Sequence, residues 1–136
     1  MKHKSIYAIA AICCLASVQT MAQKTLGEAT KGKFLFGTAV NMQQVNGINA
    51  AEAAIVASEF SAIVPENDMK SALIHPAEDR FNWDDADKIV AFADKNKQTI
   101  TGHCLIWHSQ VPRWFFVDAE GKPATQRTTW ELVNAI

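Results

Sequence analysis

Glu66, Asn67 and Lys70, in the segment Val64-Pro65-Glu66-Asn67-Asp68-Met69-Lys70, bring a carboxylate, an amide and an amine close together in the chain. A carboxylate accepts hydrogen bonds, an ammonium donates them and an amide does both, so the three can clasp the hydroxyls of a sugar. If the backbone turns helical after Pro65, Glu66 and Lys70 stand four apart and share a face. Pairs at that spacing are also common on solvated helices, where they contribute little.

A second constellation is Gly102-His103-Cys104-Leu105-Ile106-Trp107-His108-Ser109-Gln110. Strand side chains alternate, which would send His103, Leu105 and Trp107 one way and Cys104, Ile106 and His108 the other. Two histidines on opposite faces cannot share one metal, so a zinc pair is not expected. His103 and Trp107 can cooperate, with Gln110 where the strand ends. The indole would pack on the C–H face of a pyranose while the polar groups fix its hydroxyls. Histidine and tryptophan in such places also serve as hydrogen-bonded core residues. His108 suits a structural brace, Cys104 buried filler, and Trp83 and Trp114 packing or loop anchoring. Asp84, Asp85 and Asp87 read as the acidic first turn of a helix, not a metal site.

The elements that would carry these residues alternate. Phe34 to Val40 is a short apolar run suited to a buried strand, and Asn41 to Gly47 a polar loop. Asn49, three positions before Glu52, caps a helix that continues through Phe60. Ser61 to Val64 forms a second strand stopped by Pro65, which has no N–H for a sheet ladder. Asp84 to Lys97 carries Ala86, Ile89, Val90, Phe92 and Ala93 at helical spacing, with Asn82 as its cap. Thr99 to Trp107 is the third strand. Alternation of this kind indicates an α/β fold with a parallel sheet or barrel, whose ligands gather at the strand ends. Thr128-Thr129-Trp130-Glu131 starts a further helix, with Leu132, Val133 and Ile136 on its apolar face, and the chain is expected to continue beyond it.

A net charge of -1 and a hydrophobic share of 49% over 136 residues describe an ordinary globular protein. Lys and Arg are interspersed with Asp and Glu, which removes the electrostatic footprint of a nucleic-acid or acidic-membrane partner. Lys2, His3 and Lys4, then an apolar run from Ile6 to Val18, then Thr20-Met21-Ala22, have the layout of a secretory signal peptide over residues 1–22. The mature domain would be 23–136, exported to the periplasm or outside the cell, with no membrane association after cleavage. Cys104 would be its only thiol, so stability must come from a core rather than a disulfide.

In order, Pro65-Glu66-Asn67 with Met69-Lys70, the run Phe81-Asn82-Trp83-Asp84-Asp85-Ala86-Asp87-Lys88-Ile89-Val90, and Gly102-His103 through Trp107-His108-Ser109-Gln110-Val111-Pro112-Arg113-Trp114 resemble the front half of a family 10 endo-1,4-β-xylanase. The likeness runs from about Lys33 to Ile136. It implies a (β/α)8 TIM barrel with retaining chemistry, of which this chain holds the first three strand-helix units; a barrel needs about 250 residues. By motif position it implies that Glu66, Asn67, Lys70, His103, Trp107 and Gln110 bind xylose units on the glycone side of xylan or a xylo-oligosaccharide, with no cofactor and no metal. The family's acid/base glutamate, in an Asn-Glu pair after the fourth strand, and its nucleophile after the seventh have no counterpart in this sequence. Both are expected beyond Ile136, so no catalytic residue is assigned here and the chain alone should be inactive. Ser71 stands where the family usually has tryptophan, which should loosen the wall behind the cluster, and Cys104 where it often has threonine. Two other readings are a noncatalytic carbohydrate-binding protein that keeps the sugar cluster, and a barrel hydrolase that uses a metal.

Overall fold

The structure, a computed structural model, describes residues 23–118 and 120–125. The leader and the helix expected from Thr128 lie outside the described residues. Side chains that reach the free N–H groups of the next turn set three helix starts. Thr25 and Glu28 close a reciprocal capping box around α1, Leu26–Thr30, and Asn41 and Gln44 do the same for α2, Met42–Val45. Asn49 accepts from the Glu52 N–H to start α3, Ala50–Glu59, as expected. The polar loop expected over 41–47 is therefore partly helical, and the Asn-x-x-Gln spacing that produces it was present in the sequence.

Gly37–Val40 (β1), Ala62–Pro65 (β2) and Thr99–Ile100 (β3) form a parallel sheet in the order β1-β2-β3. Strands that add in sequence order fit the opening of a barrel, and equally one half of a doubly wound sheet. Gly37 pairs with Ala62 so closely that a Cβ there would sit 3.0 Å from the Ala62 carbonyl oxygen, and a larger residue would require the neighbouring strand to give. The first strand is shorter than expected: Phe34 and Leu35 are exposed, and Ser61 holds Phe36 through its hydroxyl and its N–H before the ladder begins.

The third strand is also shorter, Thr99–Ile100 rather than Thr99 to Trp107. The Thr101 N–H reaches the Ile63 carbonyl, and the next donor on β2 would be Pro65, which has none. The chain leaves the sheet there and becomes a loop.

Ser71–Ile74 forms α4, Asp84–Asn96 forms α5, and Arg113–Phe116 is a 3-10 turn. Helix α5 opens with Asp84, Asp85 and Asp87, and it closes on Lys97 in the left-handed conformation. Its buried face is Ala86, Ile89 and Ala93, while Val90 is exposed, contrary to the expected stripe. Asn82 does not cap it. Trp83 holds the cap position, and Asn82 ties back to α4 by donating to the Leu73 carbonyl from its side chain and to Ile74 from its backbone.

Val40, Val56, Ile63, Ile89 and Ala93 make the core between sheet and helices, with Met42, Val45, Phe92 and Ile100 packed around it. Gln98 locks three elements at its edge. Its side-chain amide donates to the carbonyls of Val56 and Phe60 at the end of α3, at 2.7 and 2.9 Å, and its own N–H closes α5 on Ala93. The residue is 8% exposed, so those two carbonyls have little access to water. Gln98→Ala is expected to lower stability by about 1–3 kcal/mol. The urea midpoint of the full-length protein measures it, and an unchanged midpoint would show that water replaces the amide.

Candidate functional site

The site is built where β1 and β2 end. The Glu66 N–H donates to the Val40 carbonyl at 2.8 Å, carrying the ladder one residue beyond Pro65. The exposed Glu66 carboxylate accepts from the Asn41 side-chain amide at 3.2 Å, and Asn41 also caps α2 at the end of β1. The chain then turns through an Asn67 carbonyl to Lys70 N–H bond of 2.8 Å, and Lys70, in an extended conformation, opens α4. No helix spans 66–70, so Glu66 and Lys70 do not share a helix face. Glu66 stays at the surface while Lys70 turns inward and is 5% exposed.

Lys70 meets the second constellation there. Its Nζ donates to His103 Nδ1 and lies 5.0 Å from the centre of the Trp107 ring. An ammonium has no lone pair, so the imidazole nitrogen must be the acceptor and the ring proton belongs on Nε2. The indole face adds a cation–π attraction of about 0.5–2 kcal/mol. Residues 101–110 follow a loop, so strand alternation does not bring His103 and Trp107 together; their shared contact with Lys70 does. His108 packs its ring edge-on against Trp107 at 4.7 Å and is exposed.

Gln110 closes the arrangement. It adopts a left-handed backbone, φ 53°, and its carbonyl accepts from the Ala72 N–H at 3.0 Å and the Ser71 hydroxyl at 3.5 Å. Its side-chain amide donates to the Asn67 Oδ1 at 2.8 Å. The predicted site residues thus fall into three linked groups: Glu66 with Asn41, Asn67 with Gln110, and Lys70 with His103 and Trp107. Asn41 and Ser71 were not singled out as site residues. The signal for Asn41 was its place at a strand end beside a capping box.

Asp68, between the two loop residues and Lys70, has its carboxyl pushed above the usual range, chiefly by burial and then by the Asp85 and Glu66 charges, against a backbone hydrogen bond that lowers it. Behind the cluster lies a cavity of about 90 Å³, lined by Met69, Ser71, His75, Phe81, Cys104 and Phe115 among others. Cys104 is half-buried rather than buried. His75, which no spacing or motif marks out, is buried against Phe81 and Trp114, and the Trp114 indole N–H anchors its loop on the His75 carbonyl at 3.0 Å. Among the described residues no three His, Cys, Asp or Glu side chains gather as a metal cage, and no helix is long and apolar enough to cross a membrane.

Comparison with known proteins identifies the family and the fold. The profile of glycosyl hydrolase family 10 matches residues 25–135. Endo-1,4-β-xylanase A of Xylanibacter ruminicola is 43% identical over 104 residues, covering 76% of this chain and 28% of the relative. The crystal structure of an endo-1,4-β-xylanase from Caldicellulosiruptor owensensis superposes with a TM-score of 0.74 at 36% identity, over 83% of this chain and 33% of that one. A mutant solved in complex with xylotriose gives 0.75 at 36% identity with the same coverage. The chain spans about a third of the length of these relatives, and its three parallel strands are part of their TIM barrel. The sequence profile and the superposed strands agree, and the chain belongs to glycosyl hydrolase family 10.

Proposed function

We propose that the protein carrying this chain is an exported endo-1,4-β-xylanase that hydrolyses internal β-1,4-xylosidic bonds with retention. In this reading Glu66, Asn67, Lys70, His103, Trp107 and Gln110 hold xylose units on the glycone side. One observation carries it. A buried lysine is held between an imidazole and an indole, beside an exposed carboxylate and a paired amide, at the ends of parallel strands. The ammonium and the His103 Nε2–H donate, Glu66 accepts, and Trp107 offers an apolar face, which together match the alternating hydroxyl and C–H surface of a pyranose. Export rests on the basic, apolar and small-residue pattern of residues 1–22.

The two carboxylates of retaining hydrolysis stand about 5–5.5 Å apart, one protonating the leaving oxygen and the other attacking the anomeric carbon. We assign them to the part of the barrel beyond these residues. Glu66 is assigned to binding rather than cleavage because its motif position resembles the family's glycone-side binding residues and not its acid/base or nucleophile glutamate. Contacts made here hold the sugar in register so that both carboxylates meet the scissile bond.

Three measurements on the full-length protein test the reading. Purified protein is expected to release xylo-oligosaccharides from xylan; binding without release would favour a noncatalytic carbohydrate-binding protein. Lys70→Met is expected to lower kcat/KM on xylan by about 10- to 100-fold, the loss of a charged hydrogen bond of roughly 1.5–3 kcal/mol. A loss below twofold would remove Lys70 from the sugar contacts. Ser71→Ala is expected to change kcat/KM by less than about threefold, since a hydroxyl contact of 3.5 Å is weak; a larger loss would make Ser71 the main holder of Gln110.

A further inference from the structure

His75, Phe81 and Trp83 form a stack of rings that runs from the interior to the surface. The His75 and Phe81 rings lie 3.8 Å apart at 18°, and the Phe81 and Trp83 rings 5.6 Å apart at 5°. Exposure rises along the stack, from 5% at His75 to 44% at Phe81 and 50% at Trp83. The inner ring is fixed by its Nε2, which donates to the Glu78 carbonyl at 3.1 Å, and by the edge contact with Trp114. The outer one is fixed by its backbone, whose carbonyl accepts from the Asp87 N–H in the first turn of α5. An indole held this way, half in water, is a rigid platform.

Beside it lies a pocket of about 470 Å³, lined by Trp83 and Phe81 together with Asp68, Asn82, Asp85 and Lys88 among others. That volume falls within the usual range of ligand sites, about 300–1,000 Å³. None of the residues assigned to the strand-end cluster lines it. Apolar protein laid over this pocket would have to take Asp68 and the Asp85–Lys88 pair, which meets at 2.9 Å, out of water without replacing their hydrogen bonds. A neutral ligand rich in hydroxyls avoids that cost. Its O–H groups serve the carboxylates, its oxygens serve the ammonium, and its C–H face rests on the indole.

We propose that the Phe81–Trp83 platform and its polar pocket bind a pyranose unit of xylan as a second contact, separate from the Lys70–His103–Trp107 cluster. The protein then holds long chains at two points and short ones at a single point. The inference rests on the proposed xylan-degrading function for the identity of the sugar. A second contact raises the apparent affinity for polymers that reach both sites and leaves short substrates unaffected.

The test compares full-length wild-type protein, Trp83→Ala and the double variant Asp84→Ala/Lys88→Ala by native-gel retardation in soluble xylan and by hydrolysis of xylotetraose. Trp83→Ala is expected to weaken retardation by about three- to tenfold, the worth of one aromatic contact, with xylotetraose hydrolysis within about twofold of wild type. Asp84 also lines the pocket, and the double variant alters exposed residues at the start of α5 while leaving the ring stack intact, so it decides the matter should Trp83→Ala melt early; a loss of about threefold is expected. Retardation equal to wild type in the folded variants would overturn the proposal, as would a parallel fall in xylotetraose hydrolysis. Wild-type protein that fails to hydrolyse xylotetraose would sink the enzymatic reading instead, while the gel comparison still reports on the platform.

Discussion

A lysine ammonium removed from water must find acceptors, and much of the strand-end architecture follows from how Lys70 meets that need. Its carbon stem lies buried at the start of α4, and its Nζ finds the His103 lone pair and the face of Trp107. Both partners come from the loop after β3, so the charge draws that loop over the end of β2. Once the loop is there, the Gln110 carbonyl meets the free Ala72 N–H at the opening of α4, and its side chain meets Asn67. Each bond satisfies a donor or acceptor that would otherwise be left without a protein partner. The same contacts fix the His103 tautomer and hold the indole, so the arrangement that settles the charge also sets out the groups that would meet a sugar.

The sheet supplies the frame in which this can happen. Pro65 ends the pairing on the β3 side because it lacks a donor, and it remains paired with Val40 on the β1 side. The third strand is therefore released early, and the residues from Thr101 onward are free to bend toward Lys70. Behind the sheet, Gln98 joins the ends of α3 and α5 at the entrance to β3, which sets where that strand begins. A residue without a backbone donor at one end of the sheet and a buried amide at the other thus define how much of the third segment is strand.

Much of this was legible in the sequence. The order of the three strands and of the two longer helices between them, the Asn49 cap and the acidic opening of α5 follow from spacing and residue type, whereas the short helices α1, α2 and α4 were not expected. The boundaries followed less well, for physical reasons. Phe34 and Leu35 are as apolar as a strand requires, yet Ser61 takes Phe36 before pairing starts. Asn82 is a good cap by type, but its amide is used to hold α4. The pairing of Glu66 with Lys70 failed because helical spacing matters only where a helix forms, and this segment turns at Asn67 instead. His103 and Trp107 were placed together on strand parity; they meet through a third residue, and tertiary contacts of that kind leave no periodicity in the sequence.

The most direct measurement is a crystal structure of the full-length protein with a xylo-oligosaccharide bound. The account requires a xylose ring whose hydroxyls lie within hydrogen-bonding distance of Lys70 Nζ, His103 Nε2, Asn67 and Glu66, with Trp107 against its C–H face and the His103 Nδ1 contact to Lys70 retained. A sugar bound in the barrel cleft with water between it and these side chains would contradict the assignment, and so would one whose oxygen displaces His103 from Lys70.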